Sequence, residues 1–152
     1  MTISIRTAEA RDVGAIGHLA ETTDLFPAEM LADMFAAYLD GSKADIWFVA
    51  EKGDVLGFGF CEPERMADGA WNLLAIGVEP DRQGQGIGAA MLDHLETALR
   101  AVNARILIVE TLGTDEYQPT REFYLKNGFD EEARIRDFYE RGGDKVVFWK
   151  RI

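Results

Sequence analysis

Cysteine is almost absent from this sequence, in which Cys61 is the one cysteine among 152 residues. A single cysteine cannot form an internal disulfide or a cysteine-based metal cluster, which excludes the disulfide-dense secreted folds. Long hydrophobic runs are also missing, since no stretch of about 18 uncharged apolar residues occurs. The first residues, MTISIRTAEARD, carry charge before the apolar segment of a leader could develop. We therefore expect a cytoplasmic protein without membrane spans and without a bound metal.

Basic residues are scarce relative to acidic ones. The chain has 16 Lys plus Arg against 27 Asp plus Glu, which gives a net charge of -11. Because nucleic-acid affinity depends on Lys and Arg neutralising phosphates, we expect no nucleic-acid partner. So acidic a surface attracts cationic small molecules or peptides, although solubility alone is an alternative explanation for it.

Linkers, repeats and low-complexity segments are absent too, and 47% of the residues are hydrophobic, which suits one domain over residues 1–152. Hydrophobic periodicity predicts a first strand, two helices, a hairpin around EKGD and a central strand, WNLLAIGV, covered on both faces. A helix, a strand, a short helix and a terminal hairpin follow. This order predicts an α/β (α+β) fold with a mixed sheet of about six to seven strands and helices on both faces.

Glycine is concentrated in LLAIGVEPDRQGQGIGAAML. Gly84, Gly86 and Gly88 occupy every second position where a predicted strand gives way to a predicted helix. Glycine reaches positive φ freely and lets a ligand approach the backbone. The first N–H groups of a helix have no intrahelical acceptor and carry the positive end of the helix dipole. The stretch therefore predicts a phosphate cradle that needs no lysine. Gly77, inside the preceding strand, predicts a bulge or a close backbone approach.

A dinucleotide-binding fingerprint is an alternative reading of the same loop. Gly84, Gly86 and Ala89 fit G-x-G-x-x-A, and Glu110 ends the next predicted strand, where a nicotinamide-dependent oxidoreductase carries a ribose-binding acid. Against this alternative, EPDRQ separates the strand from the first glycine, whereas the fingerprint begins at the strand end. A Walker A loop is excluded, because no Lys-Ser or Lys-Thr follows the glycines.

Two segments together resemble a known family. VEPDRQGQGIGAAML, with Gln83-x-x-Gly86-x-Gly88, is similar to the acyl-CoA pyrophosphate motif of the GNAT superfamily of N-acetyltransferases. Downstream, FYLKNGF resembles the superfamily's second signature, an aromatic-Tyr-x-x-x-Gly-Phe segment. With the element order, the resemblance covers nearly the whole chain and implies a single GNAT-like domain that uses acetyl-CoA as cosubstrate.

The resemblance also implies roles for particular residues. The backbone of Ile76, Gly77 and Val78 would pair with the pantetheine arm and direct one N–H at the thioester carbonyl, where an oxyanion forms. Tyr124 would protonate the departing thiolate. The backbone N–H groups that would hold the pyrophosphate belong to Gln83, Gly84, Gln85, Gly86, Ile87, Gly88 and Ala89.

The sequence departs from the family pattern on the acceptor side. Asn72 stands where several relatives have a glutamate that serves as general base, and an amide cannot accept a proton at neutral pH. We therefore expect Asn72 to contact the substrate, and Glu110 and Glu62, which each end a predicted strand, to be the candidate bases. Tyr117 replaces an Asn that contacts pantetheine in relatives. The alternative for both glutamates is that each is a solvent-exposed carboxylate at the end of a strand, with no role in catalysis.

The expected reaction is direct attack of a primary amine, on a cationic small molecule or peptide, at the thioester of acetyl-CoA in a ternary complex. Cys61 lacks an evident base, and His18 and His94 fall on predicted helices, so an acyl-enzyme is disfavoured. A non-catalytic acyl-CoA sensor stays open as an alternative that would tolerate loss of Tyr124. A homodimer is also expected.

Overall fold

The computed structural model describes residues 2–152, within which there are seven strands and four α-helices. The strands are β1 (Ser4–Thr7), β2 (Ile46–Lys52), β3 (Asp54–Pro63), β4 (Ala70–Val78), β5 (Ile106–Leu112), β6 (Asp130–Glu140) and β7 (Gly143–Arg151). The helices are α1 (Val13–Thr22), α2 (Leu31–Leu39), α3 (Ile87–Ala101) and α4 (Gln118–Lys126).

The strand order in the sheet is β1-β2-β3-β4-β5-β7-β6. β4 and β5 are parallel, whereas β1 with β2, β2 with β3, β5 with β7 and β6 with β7 are antiparallel. This mixed sheet with four helices confirms the predicted fold class. The chain divides into two compact units, the first comprising the residues up to Pro63 and Leu74–Ala98, and the second Glu64–Leu73 and Leu99–Ile152.

The core of the first unit is built on aromatic side chains of the β2–β3 hairpin. Trp47 and Phe60 stack with ring centroids 4.1 Å apart, and Phe35 of α2 packs edge-on against Trp47. Trp47 and Phe35 are almost completely buried. Large aromatic side chains bury much apolar area at low entropic cost, so this cluster is a main source of stability for the unit.

Side chains leave little room for a Cβ at Gly77 in the first unit. A Cβ at Gly77 would lie 3.0 Å from Thr23 Oγ1 and 3.1 Å from Leu25 Cδ1, in the segment that follows α1. A Cβ on Gly57 of β3 would lie 3.0 Å from the Gly77 carbonyl oxygen. Glycine at position 77 therefore suits a site that is crowded by neighbouring side chains.

The second unit contains the first part of β4 followed in the sheet by β5, β7 and β6. Its buried side chains include Tyr124 of α4, Phe129 and Phe148, and the Tyr124 ring lies 5.5 Å from each of the other two rings. Every residue of β6 is exposed. Two register shifts in the β6–β7 ladder, at Glu131/Ala133 and at Ile135/Glu140, bend this strand.

One detail of the predicted elements is wrong. Leu74 is 47% exposed, so β4 is not covered on both faces along its whole length. Pro27 has an extended ψ of 138° and precedes a short 3-10 turn, Ala28–Met30, that leads into α2. Pro fixes only φ, so it fits the extended residue before a helical turn as readily as the first helical position.

Candidate active site

The glycine loop joins β4 to α3 in the first unit. Gly84 and Gly86 have φ of 79° and 83°, and a Cβ on either would meet nothing within 4 Å. Both glycines are exposed, so the reason for glycine is the backbone conformation and not local crowding. Gly88 lies inside α3 and does not have positive φ. The loop therefore presents open backbone at two of the three predicted positions.

α3 begins directly after this loop. Ala90 N donates to Gly86 O at 3.1 Å, which is the first hydrogen bond of the helix. The N–H groups of Ile87, Gly88 and Ala89 precede that bond and have no intrahelical acceptor. The buried side chain of Ile87 fixes the start of the helix in the core. A phosphate at this point would meet free N–H groups and the positive end of a 15-residue helix.

The end of β4 is tied to the loop. Gln83 Nε2 donates to Val78 O at 3.2 Å, and Glu79 N donates to Leu56 O of β3 at 2.7 Å. The β4–β5 ladder ends at the pair Leu73 and Val109, so residues 74–78 lie beyond its last pair. Ile76 and Val78 therefore have a strand conformation without a ladder partner in β5, as a backbone that accepts an extended ligand arm requires.

In the second unit, one buried amide joins two carboxylates. Asn72 is 5% exposed, and its Nδ2 donates to Glu64 Oε1 at 2.9 Å and to Glu110 Oε1 at 3.1 Å. Glu110 and Asn72 share a sheet face because each lies on the same side as Ile108, the Cα partner of Asn72 in the parallel ladder. The predicted substrate-side residue and one predicted base are thus in direct contact.

The orientation of the Asn72 amide follows from its neighbours. Both groups facing Nδ2 are carboxylates, which only accept hydrogen bonds when ionised, so a flipped amide would place oxygen against oxygen. Asn72 Oδ1 is consequently buried without a hydrogen-bond partner among residues 2–152. A buried carbonyl left in this way costs roughly 1–3 kcal/mol. The amide therefore holds the two carboxylates although its own oxygen has no partner among residues 2–152.

Lys145 of β7 is the cation of this cluster. Its Nζ lies 2.8 Å from Glu110 Oε2 and 3.7 Å from the centroid of the Phe138 ring. Lys145 pairs with Leu112 in the β5–β7 ladder, and Glu110 pairs with Val147, so the two charged residues are diagonal neighbours on one face. Glu110 therefore has a donor on each oxygen.

The sequence pattern did not identify Glu64 and Lys145 as parts of this cluster. Glu64 follows β3 in an irregular segment and is held by a bond from Glu64 N to Ala70 O at 2.8 Å. Glu62, the other predicted base, lies inside β3 beside the buried Cys61. Glu64, the second carboxylate that contacts Asn72, is thus two residues further along the chain than the predicted Glu62. Glu64 belongs to the acidic segment CEPERMADGAW.

Tyr124 lies on α4 and is 4% exposed. Burial raises the pKa of its phenol above the ordinary value. The hydroxyl therefore stays protonated across the neutral range and can donate a hydrogen bond to an anion. Its ring packs against Phe148 and Phe129, so the side chain also belongs to the hydrophobic core.

The other potentially reactive side chains have environments that suit a structural role. Burial, followed by the nearby charge of Glu62, raises the pKa of the Cys61 thiol, so a thiolate is disfavoured. His94 of α3 packs against Phe48, and burial lowers its pKa. His18 lies on α1, as predicted. No helix within residues 2–152 is both long enough and apolar enough to cross a bilayer.

The loop, the helix behind it and the strand order can be compared with known families. A family model described as an acetyltransferase (GNAT) domain matches residues 42–131, more than half of the chain. The chain belongs to the GNAT acetyltransferase family. Members of this family use acetyl-CoA as the acetyl donor, and the chain is accordingly an acetyltransferase. This assignment favours the pyrophosphate cradle over the dinucleotide fingerprint as the reading of the glycine loop.

Relatives of this GNAT acetyltransferase include an amino-acid acetyltransferase from Ralstonia nicotianae, 30% identical over 97% of the chain. The chain spans only 30% of that relative's length. A ribosomal protein bS18-alanine N-acetyltransferase from Escherichia coli is 28% identical, and the alignment covers 87% of the chain and 94% of the relative. A crystal structure of a protein assigned to the GNAT family, from Desulfovibrio desulfuricans, is 28% identical with a TM-score of 0.89, covering 99% of both chains.

Proposed function

We propose that residues 1–152 form one N-acetyltransferase domain that moves an acetyl group from acetyl-CoA to a primary amine by direct attack in a ternary complex. The observation that carries this proposal is the loop at the start of α3, with Gly84 and Gly86 at positive φ and open space around both. Glycine at these positions keeps the N–H groups of the first helical turn accessible. Bound acetyl-CoA supplies an activated thioester, and the chain supplies position, charge and proton transfer.

The backbone of this chain holds the donor in the proposal. The N–H groups from Gln83 to Ala89 bind the pyrophosphate, and the strand backbone around Gly77 pairs with the pantetheine arm. One N–H of Ile76 or Val78 then points at the thioester carbonyl. A donor placed where the oxyanion forms contributes typically ~2.7–4 kcal/mol to transition-state stabilisation.

Glu110 takes the proton of the attacking nitrogen, directly or through water, while the new N–C bond forms and the C–S bond breaks. Support comes from the fixed orientation of its carboxylate, which accepts from Asn72 Nδ2 and pairs with Lys145 Nζ. A carboxylate held in one orientation is positioned to accept a proton from a bound amine. Glu62 is the second candidate for this role, and the kinetic variants below distinguish the two.

Tyr124 donates to the departing sulfur. Since burial raises the pKa of its phenol above the ~8.5 of an ordinary thiol, full proton transfer to the thiolate is uphill. The hydroxyl therefore acts mainly as a hydrogen-bond donor that stabilises the developing negative charge. This role needs a protonated phenol, which burial maintains.

The acceptor is a primary amine, and we propose a cationic small molecule or peptide. The net charge of -11 supports a positively charged substrate. The comparison proteins act on amino acids in one case and on a ribosomal protein alanine in the other, as their names state. A cytoplasmic homodimer is part of the proposal, and sedimentation equilibrium tests the dimer.

A pair of glycine variants tests the donor site. Gly86→Val should abolish CoA binding, because the branched side chain opposes positive φ and blocks the pyrophosphate. Gly53→Val is the matched control, since Gly53 has φ of 80° and also has nothing within 4 Å of a Cβ, but lies in the β2–β3 turn. Thermal shifts with acetyl-CoA, NAD and NADP provide the readout. Unchanged CoA binding in folded Gly86→Val, or stabilisation by a nicotinamide nucleotide alone, would overturn the proposal.

A further inference from the structure

The two carboxylates held by Asn72 differ in their charge balance. Glu110 has Lys145 Nζ at 2.8 Å. Glu64 Oε1 accepts from the neutral amide of Asn72, and none of the ion pairs observed within residues 2–152 involves Glu64. The side chain of Glu64 is only partly exposed. The cluster therefore contains one carboxylate whose charge is balanced and one whose charge is not.

Glu64 is also fixed in position. Its oxygen is held by an amide that is itself buried and that cannot turn over without opposing two carboxylates. Its backbone is held by the bond from Glu64 N to Ala70 O. A surface carboxylate that serves only solubility needs neither restraint. The buried, unpartnered Oδ1 of Asn72 shows that the amide keeps this arrangement although one of its own polar atoms is left unsatisfied.

We propose that Glu64 binds a positive charge of the acceptor and thereby selects amines that carry a second cationic group. The inference rests on the proposed N-acetyl transfer. A reacting nitrogen must be uncharged to attack, so an ammonium that stays bound to Glu64 during the attack belongs to a different nitrogen of the same molecule. Glu110, which is paired with Lys145, takes the proton of the reacting nitrogen. Glu64 is thus a specificity-determining residue for diamines and related dications.

The test uses three acceptors of matched length whose far ends differ in charge: putrescine, butylamine and γ-aminobutyrate. Glu64→Gln keeps an oxygen that can accept from Asn72 Nδ2 and removes only the charge. Asp68→Asn is the control, since Asp68 is an exposed carboxylate of the same acidic segment. Calorimetry measures amine binding to the CoA-bound protein, and mass spectrometry measures acetylated product in parallel.

The wild type should bind putrescine more tightly than butylamine by about tenfold or more, and γ-aminobutyrate most weakly, as a charge-assisted hydrogen bond at Glu64 predicts. Glu64→Gln should reduce the putrescine preference to near unity by raising KM with little change in kcat, while Asp68→Asn keeps it. An unchanged preference in Glu64→Gln, or no preference in the wild type, overturns the inference. Preferential binding through Glu64 without acetylated product supports the inference and contradicts the proposed transfer.

Discussion

In the first unit, the Arg6 guanidinium lies between two carboxylates and satisfies both. It donates to the two oxygens of Asp12 at 2.8 and 2.9 Å and to the two oxygens of Glu51 at 2.9 and 3.1 Å. Asp12 Oδ2 also accepts from Glu9 N at 2.7 Å, at the turn before α1. In the second unit, Asn72 also lies between two carboxylates, but it brings no charge, and its own carbonyl stays unpartnered.

The difference between these clusters indicates a structural role for one and a role in the reaction for the other. A bidentate guanidinium uses its donors fully and leaves little capacity for a ligand. A neutral amide between two carboxylates leaves negative charge available and costs stability. We infer that the first cluster stabilises the fold and that the second serves the reaction, and the following variants test this contrast in order of expected effect.

Glu110→Gln should lower kcat by roughly 10²–10⁴ if Glu110 is the base. The amide oxygen can still accept from Asn72, but the amide nitrogen cannot accept from Lys145 Nζ, so the free energy of unfolding should fall modestly as well. Steady-state kinetics and urea unfolding on the same preparation provide the two readouts. Glu62→Gln is the control. A large loss of kcat in Glu62→Gln with none in Glu110→Gln would identify Glu62 of β3 as the base.

Tyr124→Phe should lower kcat within the same range, roughly 10²–10⁴, with CoA affinity unchanged. Burial raises the pKa of Tyr124, so ionisation of this phenol should not limit activity below about pH 10. Tyr38→Phe is a matched control, because the Tyr38 hydroxyl donates to Ala8 O at 2.7 Å in the first unit. Equal kcat values in the two variants would remove Tyr124 from the mechanism.

Arg6→Met should cost about 3 kcal/mol of unfolding free energy, since the side chain of Asp12 is 4% exposed and would be left as an unpaired buried carboxylate. The kcat of the folded fraction should stay at the wild-type value. Arg134→Met removes the more exposed pair with Asp144 and should cost at most about 1 kcal/mol. A kinetic defect in Arg6→Met without a stability defect would reverse the assignment of the two clusters.

The element order and the glycine loop follow the sequence because they depend on local pattern. Positive φ at Gly84 and Gly86 needs only glycine in the loop between a strand and a helix. The contact between Asn72 and Glu110 depends on the β4–β5 register. The partnership of Lys145 with Glu110 depends on the β5–β7 register, which no local pattern specifies. The pairing of Asp12 with Arg6 of the preceding strand is likewise marked by no local pattern.

The smallest effect expected is the acid dependence of the first cluster. Hydrogen bonds from Arg6 lower the pKa of Asp12 in the folded protein, whereas the unfolded value is about 3.9. The stabilisation is therefore complete above the unfolded pKa and is lost as pH falls from about 4 through the lower folded pKa. The difference in unfolding free energy between wild type and Arg6→Met should shrink below pH 4. A difference that stays constant from pH 7 to pH 3 would contradict this linkage.

The central claim is that the chain transfers an acetyl group to an amine and does not merely bind acyl-CoA. The direct measurement incubates the wild-type protein with acetyl-CoA and a panel of primary amines and quantifies free CoA thiol and acetylated amine together. The account predicts equal amounts of both products for at least one amine, with both lost in Glu110→Gln. Tight binding of CoA with no acetylated amine from any member of the panel would contradict it and would indicate an acyl-CoA sensor.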